Sequence, residues 1–198
     1  GISIRFSGTG NINGRLSNLD IDSNNILGNS LFPGVQLDIS VTSMALFRCY
    51  DFIIRKNVIS NCLNGVLLSL SGTGFGFFYN YSIEDNRIQN CTSNGIENYV
   101  GGPTTFGHHQ FNGTIIRNEI SNCGKDGINI STYGSNFQPL LYQITNHNIK
   151  QNIIHNNNRH GIFISNFNEL VTGINIRRNS IYNNDSLGIK TFDYLNAY

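Results

Sequence analysis

Glu97 and Tyr99 stand two positions apart in the run IENYVG (96–101), and the pair His108–His109 follows in FGHHQF (106–111). A carboxylate and an imidazole held together supply an acid and a base, the requirement for glycoside hydrolysis or β-elimination. Glu97, His108 and His109 therefore form the candidate catalytic set. Tyr99, Asn129, Tyr133 and Phe163 form the candidate substrate-binding set, because aromatic faces cover the apolar side of a pyranose and amides bind its hydroxyls. The plainer reading is a solvated glutamate beside loop histidines with no catalytic task. Metal chemistry has less to stand on. His108, His109, His147 and His155 lack ligand spacing, and Cys62, Cys91 and Cys123 lie 29 and 32 residues apart, unlike any zinc pattern. The glycine runs SGTGNING (7–14) and SGTGFG (71–76) carry no phosphate-loop lysine and read as turns. No metal and no cofactor are expected.

The elements that hold these residues come from a repeat. The phrase I-x-x-N-x-I occurs six times, with its asparagine at Asn24, Asn57, Asn86, Asn118, Asn152 and Asn179, at intervals of 33, 29, 32, 34 and 27. Gly-Ile or Gly-Val follows each copy by eight to ten residues, at Gly34, Gly65, Gly95, Gly127, Gly161 and Gly188. Apolar runs are short, β-branched and alternating, which excludes helix and predicts three short strands per repeat. Three strands and three bends in about 31 residues make one rung of a parallel β-helix. The expected fold is all-β: a single right-handed parallel β-helix domain over 1–198, with about six rungs.

The columns then take physical meanings. Asparagine tolerates the left-handed bend and can stack amide on amide; isoleucine stacks inside; glycine permits the turn into the next rung. Cys62, Cys91 and Cys123 share a column five residues after the asparagine, either as buried thiols or with one pair disulfide-linked. The longer stretches 40–51, 71–82, 98–114 and 131–147 read as loops leaving one flank, where binding residues usually sit.

Composition agrees with an ordered chain of low charge. There are 32 Asn and 27 Ile among 198 residues, the net charge is +1, and only 13% of residues are charged. No basic stripe announces nucleic acid and no run of 18 apolar residues announces a membrane span. GISIRFSG, at the start, reads as strand rather than as a secretion leader.

These Asn-rich rungs resemble the pectin-lyase-like parallel β-helix superfamily, over residues 1–192. The resemblance implies a carbohydrate-active or surface protein that is extracellular or at the cell surface. Its specific catalytic motifs are missing: neither the Asp-Pro-His-Asp segment of the epimerases nor the paired aspartates of the polygalacturonases is present, and FGHHQF only echoes the Gly-His-Gly of the latter. The expected function is binding of an extracellular polysaccharide, and its cleavage by a lyase or hydrolase reaction if the Glu–His set assembles. The alternative is a non-enzymatic structural solenoid of a surface, spike or filament-forming protein. Such a solenoid needs covers at its ends, supplied by flanking domains of a longer protein or by head-to-tail self-association.

Overall fold

Every strand pairs in parallel with its counterpart one repeat away, so the chain winds into a β-solenoid of stacked coils. The computed structural model describes residues 1–9, 13–42, 45–101, 107–133, 142–167 and 170–194. Among the described residues four sheets run along the solenoid. The first has seven strands, from Ile2–Gly8 to Ile189–Tyr194, and the other three have six each.

Each coil thus has four strands rather than the expected three. The additional one lies in the stretches expected to be loops: Leu46–Tyr50, Phe75–Tyr79, His108–Phe111 and Tyr142–Thr145 all belong to the second sheet. Parts of three of those stretches, 43–44, 102–106 and 134–141, lie outside the described residues.

The corners are columns of left-handed residues. Asn18, Asp51, Asn80, Asn112 and Asn146 turn the second sheet into the third, all with φ between 52° and 58°. Asn61, Asn90, Asn122, Asn156 and Asn183 do the same between the fourth sheet and the first. Asparagine suits these positions because its short side chain tolerates the left-handed well.

The corner between the third and fourth sheets departs from expectation. Its left-handed residues are Ser23, Lys56, Asp85, Arg117, Gln151 and Arg178, each immediately before the repeat asparagine. The repeat asparagine itself turns inward and builds the ladder. Asn86 donates from its backbone N and its Nδ2 to Asn118 Oδ1, both at 3.0 Å, while Asn86 Nδ2 also bonds Ile54 O at 2.8 Å. The same bonds join Asn24 to Asn57, Asn57 to Asn86, Asn118 to Asn152 and Asn152 to Asn179. The reason for asparagine is its amide, whose oxygen accepts from one neighbouring coil while its nitrogen donates to both.

The glycine column also has a different cause from the one expected. Gly65 has no unusual φ; a Cβ there would meet Ile88 Cγ2 at 2.2 Å and Gly95 O at 2.5 Å. Gly95, Gly127 and Gly161 repeat that crowding against the next isoleucine and the next glycine carbonyl. Close approach, not backbone freedom, fixes glycine here. The isoleucines Ile54, Ile59, Ile83, Ile88, Ile120 and Ile154 are fully buried and stack in register along the third and fourth sheets.

Candidate functional site

The expected catalytic set is not assembled. Glu97 points outward from the first sheet, but its Oε2 accepts from Asn64 Nδ2 at 2.7 Å and Asn94 Nδ2 at 3.2 Å. Those asparagines belong to a column that bonds coil to coil, Asn94 N to Asn64 Oδ1 and Asp126 N to Asn94 Oδ1. Glu97 is thereby a clasp on two neighbouring coils. His108 and His109 lie on a strand rather than a loop. His108 faces inward with no exposed surface, its Nε2 lies 3.2 Å from Gly72 O, and burial pushes its pKa down to about 4. His109 faces out of the second sheet between Phe77 and Phe111, at 5.2 and 5.5 Å, and burial lowers its pKa too. Inward and outward faces of one strand, on a sheet other than the one bearing Glu97, keep the three groups apart.

The expected binding residues fare differently. On the outer face of the first sheet, Tyr99, Ser131, Ser165 and Phe192 occupy one register column. Beside it stand Tyr133 and Phe167 on one side and Phe163 on the other, again in register with their neighbours. The result is a basin of about 540 Å³, within the range of small-ligand pockets. Its floor carries the Ser131 and Ser165 hydroxyls, and its rim is aromatic on all four sides. Three coil steps separate Tyr99 from Phe192, roughly 14 Å at the strand spacing. Gly101 has no side chain where the Tyr99 ring leans across the strand; a Cβ there would meet the Tyr99 hydroxyl oxygen at 2.6 Å. Burial raises the Tyr99 pKa, so its phenol remains a neutral donor.

Tyr99, Tyr133 and Phe163 therefore meet in one place, while Asn129 lies beside the basin as the register partner of both Glu97 and Phe163. Alternation in the sequence marks Ser131, Ser165 and Phe192 as outward in the same column as Tyr99, without assigning them to a site; Phe167 is not marked by it. Among the described lining residues there is no carboxylate, imidazole or cation, so the basin is equipped to hold apolar faces and hydroxyls. Arg159 and Lys190 stand outside it, 5.3 and 5.9 Å from the Phe163 ring centre.

A second polar constellation is wholly interior. Tyr81, Gly113 and His147 follow corner residues of successive coils, and the Tyr81 hydroxyl passes over Gly113 to reach His147 Nε2 at 2.6 Å. His147 Nδ1 donates to Thr145 O at 2.9 Å, which leaves Nε2 as the acceptor. The hydroxyl also accepts from Asn98 Nδ2 at 2.7 Å and lies 2.9 Å from Gln110 Oε1. Burial pushes the His147 pKa down to about 4 and the Tyr81 phenol well up. This cluster ties three coils together and is closed to solvent.

All four cysteines are free and buried. Burial pushes the Cys49 thiol up to about 12; Cys91 is raised as well, first by its hydrogen bond with Cys123 and then by burial. Neutral thiols of this kind are poor nucleophiles and poor metal ligands. No three His, Cys, Asp or Glu side chains among the described residues are placed to hold a metal ion, and no described helix is long and apolar enough to cross a membrane.

No family model, characterised protein or solved structure matches this chain.

Proposed function

We propose that this β-solenoid binds a polysaccharide outside the cell, holding a short stretch of the glycan in the basin between Tyr99 and Phe192. The single observation that carries this reading is the basin itself: a serine floor inside an aromatic rim, on a rigid sheet. Sugars present apolar faces to rings and hydroxyls to polar groups, and this lining offers both. Binding without cleavage is favoured, since Glu97 is clasped by two asparagines and His108 is buried. Kinship with the pectin-lyase-like superfamily belongs to the same proposal, supported by the stacked Asn–Ile rungs.

The test is a panel of neutral and acidic glycans, followed by variants of any ligand found. Tyr133→Ala and Phe163→Ala should each weaken binding about tenfold or more without altering the far-UV spectrum, whereas Glu97→Gln should leave affinity unchanged. Full binding by both aromatic variants would place the site elsewhere.

A second reading, the structural solenoid that adds copies head to tail, has its own supporting observation. The asparagine ladder is directional: Asn24 donates to Asn57, and so on until Asn179 accepts from Asn152. A further coil set against either edge would continue the same bonds. Light scattering that grows with concentration would favour this reading over an isolated binding module.

A further inference from the structure

On the outer face of the second sheet, Arg15 and Arg48 are register partners on adjacent strands. Like charges directly opposite one another weaken a sheet. Four other arginines are paired with carboxylates: Arg55 meets Asp20 at 2.8 Å, Arg117 meets Asp85 at 2.7 Å, and Arg87 and Arg159 meet Glu119 and Asp126, each at 3.6 Å. Among the described residues Arg15 and Arg48 have no carboxylate within ion-pair reach.

They rest on rings instead. Arg15 Cζ lies 4.9 Å from the Tyr50 ring centre, and Arg48 Cζ lies 5.8 Å from that of Phe77. The rings are themselves fixed, Tyr50 stacking on Tyr79 at 5.0 Å and Phe77 on Tyr79 at 5.6 Å. A guanidinium lying on a ring keeps its N–H edge available, with five donors in a rigid fork. Arg48 uses one donor on Asn13 Oδ1 at 3.3 Å. Two cationic forks, one coil step or about 4.8 Å apart at the backbone, thus share an ordered aromatic base.

We propose that Arg15 and Arg48 form a site for a tetrahedral oxyanion, a sulfate or phosphate group, free in solution or carried as an ester on a larger ligand. A carboxylate satisfies one fork, whereas a tetrahedral dianion presents oxygens to both. The site faces away from the second sheet and does not depend on the glycan reading of the basin on the first.

Thermal unfolding of the whole chain tests it, in sodium chloride against sodium sulfate and sodium phosphate at equal ionic strength. Sulfate and phosphate stabilise most proteins by exclusion from their surface, so the comparison is with Arg15→Gln/Arg48→Gln, which keeps that general increment. In chloride the double variant should melt no lower than wild type, since its like charges are gone. The wild type should gain about 3 °C more than the double variant from either anion near tenfold saturation. Dextran sulfate against neutral dextran, and phosphatidic acid vesicles against phosphatidylcholine vesicles, then separate a polymer ester from a lipid headgroup. Binding in either arm should fall about tenfold or more in Arg48→Gln, and binding in neither would identify the free anion as ligand. Equal anion increments in wild type and double variant would overturn the site.

Discussion

Two histidines set how single residues answer to pH. His108 and His147 are both held neutral by burial, with pKa values near 4. In the unfolded chain each titrates near 6.5. Between those values the unfolded state binds more protons, so the stability they confer is full above about pH 6.5 and is lost as pH falls toward 4. Each contributes on the order of 3 kcal/mol to that slope. Urea midpoints measured from pH 7.5 to 4 should fall steeply below 6.5, and His147→Gln should flatten the fall. A profile unchanged by acid would mean that these rings are not buried. Neither environment was legible in the sequence: His108 and His147 looked like loop residues, because nothing local announces that Gly113 opens the space into which Tyr81 and His147 meet.

At the scale of the strand and its corner, register decides the cost of a change. Ile88 is fully buried between Ile59 and Ile120, while neighbouring Arg87 is exposed and pairs loosely with Glu119 at 3.6 Å. Ile88→Asn should cost about 3 kcal/mol or more, and Arg87→Ala under about 0.5. Asn118→Ala should cost about 2 kcal/mol or more, since it strips the acceptor from both Asn86 donors in a buried ladder. The opposite sign is expected at Gln151, an exposed left-handed residue with φ 58°. There Gln151→Asn should stabilise by about 0.5 kcal/mol. Chemical denaturation of the four variants checks the ordering. The third, fourth and first sheets were legible because their inward columns repeat one residue type, Ile, Asn or Gly. The second sheet was not: its outward register runs Arg48, Phe77, His109, Gln143, with no shared type for a periodicity to reveal.

For the whole molecule, the solenoid turns sequence-distant residues into neighbours, and this is what makes a basin from Tyr99, Ser131, Ser165 and Phe192. Which first-sheet residues face outward was partly readable, because alternation along that sheet follows from the Gly-Ile landmark. The separation of Glu97, His108 and His109 was not, because residues close in sequence here fall on different sheets and faces. Amide NMR of the isotopically labelled chain, titrated with a glycan selected from the panel, tests the central claim most directly. Saturable shifts should centre on the amides of Ser131, Tyr133, Phe163, Ser165 and Asn166, and should vanish in Tyr133→Ala. Shifts centred instead on the asparagine corner at Asn80 and Asn112, or no saturable shift with any glycan of the panel, would contradict it.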